Sequence, residues 1–340
     1  MKLPRLLCAL LGVLLLTGCA RTADDQPSQS VLFAMDTVME LTVYGGEEAL
    51  TAAEARIRQL EGALSVTDEN SEIYALNQTG AGVLSADAAA LLREALTLCG
   101  QTGGALDVSI YPVVRAWGFT TGEYQVPDQQ TLQELLTHVD YTQVTLDGDS
   151  GRVSLPAGME IDLGSIAKGY TGDQVIALLR REGVSSALLN LGGNIQTLGS
   201  KPDGSPWRIG VQDPQGEGYV GVLELEDQAA ITSGGYERYF EQDGQTYWHI
   251  IDPATGAPAR SGLLSVTVVG DSGMVCDGLS TALFVMGLDA AVQYWRETGD
   301  FEAVFIDEDG QISVTQGLEG KFTPTDDGVT VEDIQVIPYG

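Results

Sequence analysis

Between Glu47 and Leu64 apolar residues recur at Leu50, Ala53, Ile57, Leu60 and Leu64. That spacing lays one apolar stripe along one helix face, so a helix is predicted over 47–64. Similar runs predict helices over 86–99, 131–136, 167–182 and 273–286. Ahead of the first helix, residues 31–44 alternate with period two and read as a strand. Further strands are expected at 143–146, 152–155, 187–190, 208–212, 220–225, 229–232, 247–251, 265–269, 302–306 and 312–314. Strand runs separated by few helices imply an α+β fold with largely antiparallel sheets and packed helices. No linker divides 31–340 and no block repeats at a fixed period, so that stretch is read as a single domain.

The first thirty residues break the pattern. Lys2 and Arg5 precede an apolar core at 6–16, too short for a membrane span of roughly 20 residues. Leu16-Thr17-Gly18-Cys19 then reads as a lipobox, so residues 1–18 are expected to be a cleaved signal peptide and Cys19 the lipidated first residue. Residues 20–30, rich in Asp, Gln, Ser and Thr, read as a flexible tether. The protein is expected to hang from a membrane by its lipid, facing away from the cytoplasm.

Charge narrows the partners. Lys and Arg number 17 against 48 Asp and Glu, a formal net charge of −31. Such acidity excludes phosphate-driven binding to nucleic acid, and it requires local cationic compensation at any site for an anionic ligand. Of four cysteines, Cys8 leaves with the signal and Cys19 carries lipid, so Cys99 and Cys276 are expected as buried free thiols. With only His138 and His249 available there is no zinc-type cluster, and any metal is expected to be a hard cation held by oxygen. His138 is read as a surface residue.

Three segments carry candidate chemistry: Asp162-Leu-Gly-Ser-Ile-Ala-Lys168-Gly-Tyr, His249-Ile-Ile-Asp252-Pro-Ala-Thr-Gly256 and Asp277-Gly-Leu-Ser280-Thr281-Ala-Leu-Phe. Each has an ordinary structural reading. The first can be a strand end turning into a helix, the second is turn chemistry, and hydroxyls in the third can bond back to the preceding helical turn. Together they supply glycines that admit close approach, one lysine for phosphate, and an Asp and a Thr four residues apart on one helix face. That combination points to a magnesium-bound nucleotide.

With these stand Met35-Asp-Thr, Ser71-Glu-Ile-Tyr-Ala-Leu-Asn77, Gly104-Ala105-Leu-Asp107-Val-Ser-Ile-Tyr-Pro112 leading to Trp117-Gly-Phe119, Leu189-Asn-Leu-Gly-Gly-Asn194, Thr232-Ser-Gly-Gly-Tyr-Glu-Arg238 and Val266-Thr-Val. In this order the chain resembles the ApbE family of flavin transferases, from about residue 31 to 322. The resemblance implies a T-fold-like core with an interleaved second lobe. It further implies Mg²⁺-dependent transfer of the FMN moiety of FAD to a Thr or Ser hydroxyl of an acceptor protein, with release of AMP.

Carried over position by position, the resemblance implies that Asp277, Thr281 and the Ser165 carbonyl hold the metal. Ser280, where some members have an acid, would be a weaker ligand or none. Met35, Ala105, Leu106, Asp107, Asp162, Lys168 and Ile251 would contact the flavin nucleotide, with Thr67 where an aromatic ring can stand in relatives. His249 is the candidate base for the acceptor hydroxyl, the alternative being that it only closes the turn before Asp252. Implied acceptors are membrane redox subunits, as in sodium-pumping NADH:quinone reductases and Rnf-type complexes, or extracytoplasmic FMN-binding domains. A FAD pyrophosphatase and a non-catalytic flavin-binding lipoprotein stay open on the residues alone.

Overall fold

A computed structural model describes residues 26–325 and 334–339. The expected signal peptide and the lipobox cysteine Cys19 lie outside the described residues. The central sheet has the spatial strand order Ser28–Ala34, Thr37–Tyr44, Ser186–Leu191, Asn194–Leu198, Ala229–Gly234, Leu263–Gly270, Glu302–Asp307, Ile312–Thr315 and Ile334–Ile337. Neighbours run antiparallel except the last pair, which is parallel. Helices α1 (Glu47–Leu64), α2 (Glu72–Thr79), α3 (Ala86–Gln101), α4 (Tyr111–Ala116), α5 (Gln129–Leu136), α6 (Gly164–Arg181), α7 (Gly273–Met286) and α8 (Leu288–Thr298) pack around it. The fold is therefore α+β with largely antiparallel sheets, as the strand pattern implies. Among the described residues no helix is long and apolar enough to cross a membrane.

Two buried helices position the site. Helix α7 starts where Ser272 accepts the Val275 N–H. The Asp173 carboxylate, reaching across from α6, accepts the N–H groups of Gly273 at 2.7 Å and Met274 at 3.0 Å. These contacts satisfy donors that a helix start otherwise leaves open. The two helices touch through small residues: a Cβ added at Gly169 would lie 2.2 Å from the Gly273 carbonyl oxygen. A smaller satellite core of Val113, Trp117, Phe119 and Ile251 joins α4 and α5 to the segment that follows the Tyr239–Gln242/Gln245–Trp248 hairpin.

Several elements depart from the pattern reading. Residues 31–44 form not one strand but a hairpin, Ser28–Ala34 and Thr37–Tyr44, with Ala34 paired to Thr37. Its two-residue turn, Met35 (φ 49°) and Asp36 (φ 59°), is left-handed throughout. Such a turn ordinarily takes Asn-Gly or Gly-Gly, so no composition signal marks it. The first strand also begins at Ser28, inside the stretch read as tether. The strand expected at 247–251 is Gln245–Trp248, and Ile251 makes only an isolated bridge to Pro258. His138 is half-buried rather than on the open surface, its ring lying 2.6 Å from where a Cβ on Gly158 would fall. Cys99 and Cys276 are buried free thiols, as expected.

Candidate active site

A cleft of about 730 Å³ opens between the α6–α7 pair and the loops facing it. Its walls include Met35, Thr67, Ala105, Leu106, Asp107, Asp162, Ser165, Lys168, His249, Ile251, Asp277 and Thr281. Candidate residues spread over most of the sequence thus converge on one cavity, in the size range of small-molecule sites.

Asp277 and Thr281, one turn apart on α7, present two oxygens to the cleft. Asp277 is buried, 4% exposed, and its Oδ2 accepts the Gly169 N–H at 2.8 Å. Burial pushes its carboxyl above the ordinary range, while the Lys168 charge and the Gly169 N–H pull it back. In an uninterrupted helix the Gly169 N–H would bond the Ser165 carbonyl four residues earlier. With that donor drawn toward Asp277, and two lone pairs on any carbonyl oxygen, Ser165 retains accepting capacity. Ser280 Oγ donates to the Asp277 carbonyl at 2.8 Å and meets Ser233 Oγ at 2.8 Å, and Ser233 Oγ lies 3.3 Å from Thr281 Oγ1. Each hydroxyl has one hydrogen. The direction fixed at Ser280 therefore takes the hydrogens of Ser233 and Thr281 inward and leaves Thr281 lone pairs toward the cleft. Ser280 itself is fully buried, with its hydroxyl engaged in this chain.

These oxygens suit magnesium, a hard cation that keeps several positions for water and phosphate. Among the described residues no group of three or more His, Cys, Asp or Glu gathers to hold a metal ion. A cation here would rely on one carboxylate and neutral oxygens, with substrate phosphates completing its shell.

Lys168 stands one residue before Gly169, faces the same cleft and makes no ion pair among the described residues. Asp162 accepts the Gly164 N–H at 2.8 Å just ahead of the α6 start. Burial pushes its carboxyl up, opposed by that N–H and by Arg238 and Lys168. The Asp107 carboxylate turns inward, taking the Ser109 N–H at 2.8 Å, the Ser109 hydroxyl at 2.6 Å and the Tyr141 N–H at 3.2 Å. It shapes the Ala105–Asp107 loop through those bonds. Thr67 is exposed at the rim, its hydroxyl 3.2 Å from Ser65 Oγ.

His249 Nδ1 lies 3.2 Å from the Arg238 carbonyl oxygen. A carbonyl only accepts, so Nδ1 carries the proton and Nε2 is left with its lone pair. Burial, with the Arg238 and Lys168 charges beside it, pushes the imidazole down to about 4. It is neutral at physiological pH. The segment after it is held by backbone bonds, Asp252 N–H to Ala257 at 2.9 Å and Gly256 N–H to Asp252 at 2.8 Å. The imidazole is not needed to close that turn.

The cleft also contains residues that sequence reasoning left without a role: Asp36, Thr37, Glu61, Ser233, Glu237 and Arg238. Ser233, Glu237 and Arg238 belong to the Thr232–Arg238 segment, whose pattern was visible though its chemistry was not. Glu237 is exposed at the cleft mouth, and desolvation by the surrounding walls pushes it up to about 7, opposed by Lys168 and reinforced by Asp277. Nothing in the sequence marks Glu61.

A sequence profile described as the ApbE family matches residues 35–305. A FAD:protein FMN transferase of Treponema pallidum is 35% identical over 335 residues, covering 92% of this chain and 92% of that protein. Another FAD:protein FMN transferase, from Haemophilus influenzae, is 37% identical over 254 residues, covering 71% and 73%. The crystal structure of the ApbE protein from Thermotoga maritima superposes with a TM-score of 0.83 at 31% identity, covering 87% of this chain and 99% of that one. The flavin transferase ApbE from Vibrio cholerae gives 0.77 at 28% identity, covering 87% and 99%. With most of its length matched in both sequence and fold, the chain belongs to the ApbE family.

Proposed function

We propose that this protein transfers the FMN moiety of FAD to a Thr or Ser hydroxyl of an acceptor protein, in a magnesium-dependent reaction that releases AMP. The observation that carries the reading is the convergence of Asp277, Thr281, Ser165, Lys168 and His249 on one cleft. The activity for which the Treponema and Haemophilus relatives are named, FAD:protein FMN transfer, supports the same reading.

In this reading the acceptor oxygen attacks the FMN phosphorus, a new P–O bond forms, and the P–O bond to the AMP phosphate breaks. His249 Nε2 takes the hydroxyl proton, and Nδ1 keeps its hydrogen on the Arg238 carbonyl throughout. Lys168 lies against the pyrophosphate as a point charge that also offsets the acidity of the chain. Asp277, Thr281 and the Ser165 carbonyl would hold Mg²⁺, which when bound supplies charge neutralisation at the phosphates. Anchoring through Cys19, on the side of the membrane away from the cytoplasm, belongs to the same proposal. A Cys19→Ser form that still carries lipid at this position would remove the anchoring part.

The decisive experiment incubates the mature protein with FAD, Mg²⁺ and a purified FMN-binding domain bearing an exposed Thr. Mass spectrometry should find the domain heavier by one FMN and AMP in equal amount. Free FMN and AMP with no adduct would identify a pyrophosphatase using water, and FAD bound intact a non-catalytic binder.

A further inference from the structure

The turn at the cleft mouth contradicts its own backbone preference. Met35 and Asp36 both have positive φ, 49° and 59°, between the paired residues Ala34 and Thr37. Side chains with a Cβ resist this region, and two in succession are rare. The adjacent hairpin, between Ser186–Leu191 and Asn194–Leu198, makes its turn with Gly192 and Gly193, which adopt such geometry freely. The two turns sit together: a Cβ on Gly192 would fall 2.1 Å from Thr37 Oγ1, and both turns line the cleft. One turn therefore has the residues its geometry asks for, and the other keeps a methionine.

A second local preference is broken beneath it. Glu61 stands in the last turn of α1, where the helix ends in unbonded carbonyls and a carboxylate is disfavoured. The Glu61 Oε1 accepts the Met35 N–H at 2.7 Å, and Glu61 itself lines the cleft. Thr171, from α6, reaches the Met35 sulfur at 3.7 Å from the other side. Two unfavourable local choices in contact, both at the site, are the pattern expected where geometry is held for function.

We propose that Glu61 is a positioning residue for the flavin nucleotide. By accepting the Met35 N–H it clamps the left-handed turn, so that the Met35 side chain is fixed as a wall of the site before FAD enters. The inference rests on the proposed reading of the cleft as a FAD site. It assigns Glu61 no contact with the reacting phosphates.

The test compares Glu61→Ala, Glu61→Gln and the double variant Met35→Asn/Asp36→Gly with the parent, using FAD fluorescence titration, thermal melting and initial-rate FMN transfer. Glutamine keeps an acceptor oxygen, so Glu61→Gln should hold FAD affinity within about threefold, while Glu61→Ala should lose roughly tenfold or more, as for a bond to a charged acceptor. The loss should appear in KM for FAD, with kcat at saturating FAD near that of the parent. The double variant, with the residues the turn prefers, should melt higher and bind FAD more weakly. A KM effect without a kcat effect in Glu61→Ala, rescued by glutamine, is what a merely structural role would not produce. Parent-like FAD affinity in Glu61→Ala, or in the double variant, overturns the proposal alone. A parent that binds no FAD overturns it together with the functional reading.

Discussion

The Asp277 carboxylate and the Gly169 N–H, on neighbouring buried helices, are 2.8 Å apart. The Gly169 carbonyl is held as well, accepting from Gln196 Nε2 at 2.8 Å. One residue, through both its backbone polar groups, thus ties the candidate metal carboxylate to the helix that carries Lys168. An added Cβ at Gly169 would stand 2.2 Å from the Gly273 oxygen and 2.8 Å from the Asp277 Cβ. Gly169→Ala should therefore part the helices and cost about 1–3 kcal/mol of stability, as overpacking does. FMN transfer should fall more than the melting point suggests. A variant with parent-like stability and transfer would contradict this coupling.

Asp277 is a buried carboxylate with no cationic partner in contact among the described residues, which burial alone makes unfavourable in its ionised form. In metal-free protein Asp277→Asn should hence melt at or above the parent, since the amide fills the space without charge. Magnesium at about a hundred times its Kd should stabilise the parent by about 2.7 kcal/mol and leave Asp277→Asn unchanged. AMP release should be lost in the variant. Equal magnesium-induced shifts in both proteins would remove Asp277 from the metal site.

How much of this was legible depended on whether a residue's signal was local. Helix α7 was read to its observed ends, 273–286, because an apolar run and a small-residue start mark it. The four-residue spacing of Asp277 and Thr281 put both on one face of that helix, while their metal role is what the family resemblance implies. The Met35–Asp36 turn was read as continuous strand because its residues do not announce a turn. Glu61 was invisible for a different reason, since its partner lies 26 positions away and only the packing of α1 against the first hairpin joins them. Ser233 likewise acquires meaning only once the strand Ala229–Gly234 lies against α7.

Lys168 offers a third check. It makes no ion pair among the described residues, and its charge faces Asp162, Glu237, His249 and Asp277 across the cleft. Lys168→Gln should weaken FAD binding by roughly ten- to a hundredfold, a charge-assisted contact being about twice as strong as a neutral one. The salt dependence of FAD affinity should flatten with it. Isothermal titration at two ionic strengths reads both, and an unchanged salt slope would place the phosphates elsewhere.

His249 titrates well below its ordinary range. Its folded-state value, about 4, lies below the ordinary histidine value of 6.5. Its titration therefore leaves stability unchanged above 6.5 and lowers it as pH falls from 6.5 through about 4, where the unfolded chain takes a proton that the folded site resists. As a base it is already unprotonated at neutral pH, so transfer should be flat with respect to His249 near neutrality and fall as pH drops through about 4. Glu237, pushed up to about 7, titrates in the same cleft, so an inflection near 7 should vanish in Glu237→Gln while the acid limb remains. His249→Ala should slow single-turnover transfer by roughly 10²–10⁴-fold. FAD affinity and melting point should stay close to the parent, because the backbone bonds around Asp252 close the turn without the ring. Weakened FAD binding and stability in step would return His249 to a turn residue, and parent-like transfer at saturating FAD would end its role as base.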